Sequence, residues 1–247
     1  MSEGLALNPE GLLSPDGLPA TLKLVLMLSA LSLVPSLLMM TTCFVRVSVV
    51  LGVLRQALGT QQFLPNQVVT GLSLFLSLTV MWPVWESAWE QGIQPYTEGV
   101  YADEAARAEA FETAVERSLE PIRRFMSAQI ELAGNEAAID LFVDYRHPDG
   151  VAEAGYPQYY EDVPITVLLP AYVLSELKTA FLIGFQIYLP FVVIDLVIAS
   201  LLTGLGLVNV APATVALPCK LLLFVLVDGW FLIVELLLNS VGPIATG

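Results

Sequence analysis

ITVLLPAYVLSELKTAFLIGFQIYLPFVVIDLVIASLL, residues 165–202, is a run of 38 residues in which Glu176, Lys178 and Asp195 are the only charges. A hydrocarbon core of roughly 30 Å takes about 20 helical residues at about 1.5 Å each, so the run predicts membrane-type helix yet exceeds one upright span. Pro170 and Pro190 interrupt it. Each lacks a backbone donor, and Pro190 in particular predicts a bend or break that leaves the phase of Asp195 undefined. Glu176 and Lys178 are two residues apart and point to opposite sides of a helix, so each needs its own partner. With Gln186 and Tyr188 adding further polar atoms, the block reads as a helix packed among others rather than one bathed in lipid.

Outward from this block the same pattern repeats. Leu24 to Val45 is 22 residues without a charge and makes a first span, with Lys23 placed to snorkel towards headgroups. Gln56 to Gln67, with Gly59, Gln61, Gln62, Pro65 and Asn66, reads as a turn, and Val68 to Trp85 as a second span. Beyond a Gly/Pro-rich loop from Thr203 to Pro218, Leu221 to Leu238 makes a fourth segment that carries Asp228 and Glu235. At about 100° per residue, Lys220, Asp228, Glu235 and Asn239 fall within about 100° of one another, a single polar stripe that lipid cannot satisfy. The fold class expected is all-α: membrane-type helical hairpins at 22–85 and 165–247, the latter holding the loop 203–218, separated by an insert at 86–164.

That insert holds most of the chain's acid. The chain has 24 Asp and Glu against 10 Lys and Arg, a net charge of −14. Glu86 through Asp162 carry 17 of those carboxylates and 5 arginines, hence −12 of the −14. So acidic a chain repels a phosphate backbone, which excludes nucleic acid as a partner. Taking Arg46, Arg55 and Lys220 as cytoplasmic loop residues puts the insert, the N-terminus and the C-terminus on the extracytoplasmic side of the membrane. Residues 1–21 have Glu3, Glu10 and Asp16 but no Lys or Arg, lack the positive region of a secretory signal, and read as an exported tail. Within the insert, Ala102 to Leu119 is helical, Pro121 is expected to open a second helix, and a short helix is expected around Ile139 to Tyr145 in otherwise irregular chain from Ala133 to Pro164. Glu120 and Arg124, spaced i,i+4, read as a solvated surface pair.

Catalytic chemistry has little to stand on. His147 is the only histidine, followed by Pro148, Asp149 and Gly150, and reads as a turn residue. No phosphate loop, nucleophile elbow or HExxH helix occurs, and Gly204-Leu205-Gly206 is a weak glycine pattern in an uncharged loop. The expectation is a non-enzyme without metal or cofactor. Cys43 and Cys219 lie in or beside apolar blocks, where cysteine usually acts as a small hydrophobe, though a disulfide between them stays open. The charges inside apolar segments are the functional candidates: Glu176, Lys178, Asp195, Lys220 and Asp228, each costing about 2.5 to 3.5 kcal/mol on insertion scales unless satisfied. Pairing between subunits is the expectation, because Glu176 and Lys178 face opposite ways.

Several stretches carry a family resemblance. Leu38-Met39-Met40-Thr41-Thr42-Cys43-Phe44-Val45-Arg46-Val47, then Val50 through Gln62, then Pro65-Asn66-Gln67, resemble the FliP/SctR family of type III export gate subunits. The later part is closer still. Leu169-Pro170-Ala171-Tyr172, Ser175 through Phe181, Pro190 through Leu196, Pro212-Ala213-Thr214, and Leu217 through Leu221 followed by Asp228-Gly229-Trp230 keep the family's order and spacing, as does Glu120 through Met126 in the insert. The resemblance covers about residues 20 to 240.

It implies a core subunit of the flagellar export gate, assembled in a pentamer-like helical ring with FliQ and FliR, beside FlhB and FlhA, through which unfolded flagellar subunits pass. It implies too that the apparent spans are bent hairpins whose buried charges are subunit contacts. The loop Gly206-Leu207-Val208-Asn209-Val210 stands where the family has consecutive methionines. Leu207 and Val208 keep the apolar closure but lose methionine's adaptability, while Asn209 adds a polar group, so this loop is expected to form the constriction and to leak ions more readily. Cys43 and Cys219 stand where the family has Ser and Phe, and Glu235 where a small residue is usual. Two other readings compete. One is the SctR subunit of a virulence secretion system, against which Ser175 to Phe181 leans flagellar. The other is a four-span ion or solute transporter using Glu176, Asp195 and Asp228 as a proton relay.

Overall fold

A computed structural model of the chain describes residues 20–59, 65–147, 162–207 and 209–242. The exported tail (residues 1–19 of it), part of the turn expected at 56–67, residues 148–161 of the insert, and Val208 lie outside the described residues. All regular structure among the described residues is helical. Residues 1–39 and 40–247 form two units by their internal contacts.

The first unit contains nearly all of α1, Ala20–Met40. Its 21 residues span about 31 Å at about 1.5 Å each, close to a hydrocarbon thickness. It is apolar all round, and from Leu31 to Met40 every side chain is exposed. The helix ends at Met40 instead of running to Val45.

In the second unit, α2 (Phe44–Ala57) begins where the Thr42 hydroxyl accepts the free backbone N–H of Phe44 at 3.3 Å. Such a side-chain acceptor satisfies a donor that no helical carbonyl reaches, and so sets the start of α2. Its buried positions Arg46, Val47, Val50, Leu51, Leu54 and Ala57 follow the 3.6-residue period. α3 (Asn66–Ala88) runs through a π turn (Trp89–Ile93) into the short α4 (Gln94–Glu98). The insert then folds as α5 (Glu104–Leu132), capped by the Asp103 carboxylate accepting from Ala106 N at 2.7 Å, and α6 (Ala137–Arg146), close to the short helix expected there. Pro121 does not open a second helix: α5 continues through it. One lost donor is outweighed because Phe125, Met126, Gln129 and Ile130, just beyond, are buried against the bundle.

α7 (Ile165–Gly204) is one helix of 40 residues, about 60 Å long. Neither Pro170 nor Pro190 ends it, in contrast to the break expected at Pro190. Leu168, Ala171 and Tyr172 around the first proline and Phe191 beside the second are buried, so packing holds the helix where local preference would release it. Hydroxyls on the apolar helices bond to their own carbonyls, Ser73 to Val69, Thr79 to Phe75, Ser200 to Leu196 and Thr203 to Ala199, all at 2.8–2.9 Å. This satisfies those hydroxyls within their own helices.

α2 and α7 make the most extensive helix pair. Gly184 permits it: a Cβ there would stand 3.1–3.2 Å from the Val53 side chain. The core is one cluster drawn from α2, α3, α5, α6, α7, α8 and α9, with Leu54, Met81, Met126, Ile139, Leu168, Phe224 and Leu237 among its members. α8 (Pro212–Leu226) and α9 (Gly229–Val241) are bent from one another by 66°. Asp228 makes the elbow in the left-handed conformation, φ 52°, ψ 51°. The expected fourth segment is therefore two helices, and the polar stripe drawn across Lys220, Asp228, Glu235 and Asn239 loses its common phase at Asp228. By length and composition, Asn66–Glu98 and Ile165–Gly204 can each cross a membrane, with up to four crossings if two bent helix pairs each count as one.

Candidate functional site

The buried charges fall into two centres. In the first, Arg46 on α2 and Glu176 on α7 are 1% and 0% exposed. The pair is bidentate, Nε donating to Oε2 at 2.9 Å and Nη2 to Oε1 at 2.5 Å, the geometry in which a guanidinium and a carboxylate satisfy two bonds in one plane. Arg46 goes further. Nη2 donates to Gln129 Oε1 on α5 at 3.1 Å, and Nη1 to the carbonyl of Ser240 at 2.5 Å. Gln129 Nε2 in turn donates to the carbonyl of Val241 at 2.8 Å. Two side chains thus take carbonyls that the end of α9 leaves without helical donors, and a cation suits that negative helix terminus. One guanidinium joins α2, α5, α7 and α9. Nearby, Asn135, after α5, donates to Ser175 Oγ on α7 at 2.9 Å.

In the second centre, Lys220 on α8 donates to Asp195 Oδ2 on α7 at 2.6 Å and to the carbonyl of Ala57, the last residue of α2, at 3.0 Å. The side chains are 9% and 41% exposed, so this pair is open to its surroundings on the carboxylate side. Glu176, Asp195 and Lys220 therefore pair within one chain. The expectation that they pair between subunits is corrected for these three, because the 40-residue α7 is long enough to meet α2 and α8 at separate points. Lys178 and Asp228 are exposed and stand apart from both centres.

Arg46 is the residue sequence reasoning passed over as a site. Its signal was present: a cation with apolar runs on both sides, Leu24–Val45 before it and Val47–Leu54 after. The basic-residue rule makes it and Lys220 cytoplasmic loop residues, whereas both are buried inside the helical bundle. Gln129 and Ser240 carried no signal, being ordinary polar residues until folding sets them beside Arg46.

The expected constriction loop is shorter than 203–218. α7 ends at Gly204 and α8 starts at Pro212. Gly206, at φ 74°, closes α7: Leu207 N donates to Leu202 O at 2.9 Å and Gly206 N to Thr203 O at 3.1 Å. That double closure needs a left-handed residue, which glycine supplies without strain. Leu207, Asn209 and Val210 are exposed.

No group of three or more His, Cys, Asp or Glu is placed to hold a metal among the described residues. His147 is the cap residue after α6. Both cysteines are free: Cys43 is buried with its Sγ 3.7 Å from Ser77 Oγ, and Cys219 is exposed.

A family model described as the FliP family matches residues 27–237. The flagellar biosynthetic protein FliP of Bacillus subtilis (strain 168) is 40% identical over 228 residues, 92% of this chain and 94% of the relative. Its counterpart in Pectobacterium carotovorum subsp. carotovorum is 44% identical over 216 residues, covering 87% and 75%, and that of Caulobacter vibrioides 41% over 218 residues, covering 88% and 75%. A match of that extent, spanning Arg46, Gln129, Glu176, Asp195 and Lys220, places the chain in the FliP family.

Proposed function

We propose that this chain is a core subunit of the flagellar type III protein export gate, an inner-membrane component of the basal body. The observation that carries the reading is the family match through residues 27–237, shared with relatives that are flagellar by name. That naming favours the flagellar reading over a virulence system. The chain is a structural part of the export apparatus and not an enzyme. It assembles with further copies of itself in a pentamer-like ring, with FliQ- and FliR-like subunits, beside FlhB and FlhA, around a passage for unfolded flagellar subunits.

The domain reading follows: an exported tail at 1–21, a first hairpin at 22–85, an acidic extracytoplasmic insert at 86–164, and a second hairpin at 165–247. With Arg46 and Lys220 buried, Arg55 is the loop cation that supports placing the N-terminus and C-terminus on the extracytoplasmic side with the insert. Gly206, Leu207, Val208, Asn209 and Val210 form the constriction, a role supported by the exposed apolar side chains at Leu205, Leu207 and Val210. Glu176, Asp195 and Lys220 act as the internal ties that let one subunit hold its shape, while Lys178 and Asp228 remain for neighbours. A proton relay through Glu176, Asp195 and Asp228 is disfavoured, since Glu176 is locked to Arg46, Asp195 holds Lys220, and Asp228 sits exposed at an elbow.

Native mass spectrometry of the detergent-extracted chain, alone and then with its FliQ- and FliR-like neighbours, tests the assembly. A discrete multimer that adds those partners is expected, and a monomer or dimer indifferent to them overturns the reading. For the constriction, replacing Leu207, Val208 and Asn209 together by Gly should raise the ion conductance of vesicles carrying the complex. Unchanged conductance would remove the loop from the gate.

A further inference from the structure

Two helix faces each carry one charge in the middle of uncovered apolar surface. On α7, Leu174, Lys178, Phe181, Leu182 and Phe185 are all exposed. At about 100° per residue they occupy a sector of about 100° with Lys178 near its centre. On α9, Phe231, Leu232, Glu235 and Leu238 are all exposed. They occupy a sector of about 120° with Glu235 at its middle, and the exposed, uncharged Asn239 falls within it. Among the described residues neither Lys178 nor Glu235 has a hydrogen-bond or ion-pair partner, whereas Glu176, Asp195 and Lys220 on the same hairpin are paired.

An apolar helix face is ordinary against lipid, but a lone charge at its centre is not, because hydrocarbon offers neither a counter-ion nor a hydrogen bond. The two faces answer each other. Each is built mainly of large aliphatic and aromatic side chains, with Asn239 the uncharged exception on α9, and the single charges are opposite in sign. We propose that they are the two halves of one interface between copies of this chain, with Lys178 of one copy paired to Glu235 of the next. This rests on the assembly reading above and adds to it the faces and the charge pair. Since the two faces differ, the contact is heterologous: every copy has one of each to offer, and the contact repeats head to tail into a ring or an open helical array.

The test uses full-length chains co-expressed with the FliQ- and FliR-like subunits. Two differently tagged versions both carry Cys219→Ser to remove the exposed native thiol; one adds Lys178→Cys and the other Glu235→Cys. A short bismaleimide is applied to membranes. A dimer-sized band carrying both tags is expected, lost when either new cysteine is absent and when the second is moved to the exposed Val225→Cys on α8. In parallel, Lys178→Glu and Glu235→Lys should each deplete the multimer, and the two reversals combined in one chain should restore it. If the unmodified chain forms no multimer, the assembly reading falls and this interface with it. If the multimer forms but the tags never share a band and both reversals are tolerated, the interface is overturned while the assembly stands. A cross-link to an unlike subunit instead of a second copy overturns it equally.

Discussion

The Arg46–Glu176 and Lys220–Asp195 pairs look alike on paper, one basic and one acidic residue each, with the acid on α7 in both. They differ in what surrounds them. The first is closed on all sides, bidentate, and shared with Gln129 and the end of α9. The second has two bonds from one ammonium and a carboxylate that is 41% exposed. A closed pair has no solvent or lipid headgroup to fall back on if a partner is lost, so its loss carries the full desolvation of the survivor. An open pair can be replaced by other contacts, which suits a joint that neighbours or motion must adjust.

The comparison is broken most severely at Arg46. Arg46→Ala strands Glu176 and frees the carbonyl of Ser240 and Oε1 of Gln129, and should cost about 3 to 5 kcal/mol, read as a collapse of the melting temperature in detergent. The paired change Arg46→Met with Glu176→Leu should recover part of that loss, because two apolar side chains leave no buried charge. Recovery of nothing would mean that the bonds to α9 and Gln129 matter more than the ion pair. Next comes Lys220→Met, which loses a charged bond to Asp195 and the cap on Ala57, at about 1 to 3 kcal/mol on the same melt. Asp195→Asn keeps a hydrogen-bond acceptor in a half-open site and should cost under about 1 kcal/mol. A result for Asp195→Asn as large as that for Arg46→Ala would erase the distinction between closed and open centres. Glu120→Ala, which removes the exposed i,i+4 contact to Arg124 at 3.1 Å, should change stability by only about 0.3 to 0.5 kcal/mol.

How much of this is readable from sequence depends on whether the deciding force is local. The helical character of residues 165–202 follows from length and the scarcity of charge, and Gly206 closing α7 follows from glycine's freedom at positive φ. Pro121 and Pro190 mislead, because the penalty of a proline is local while the packing that overrides it comes from residues far along the chain. The polar stripe on the last segment fails for another reason: a helical wheel assumes an unbroken helix, and Asp228 in a left-handed conformation resets the phase. Arg46 is the hardest case. A cation beside an apolar run fits a membrane boundary and a buried anchor equally well, and its carboxylate lies 130 residues away.

The bond from Arg46 to the Ser240 carbonyl closes a loop of 194 residues, which sets an order of events during synthesis. At about 5 to 20 residues per second, α2 waits some 10 to 40 s after it is made before the end of α9 exists to receive its guanidinium. Glu176 arrives earlier and can neutralise it, so the subunit passes through a half-tied stage in which α9 is unanchored. A chain stopped short of Ser240 is held at that stage. Only a subunit translated through its final helix therefore has the closed centre.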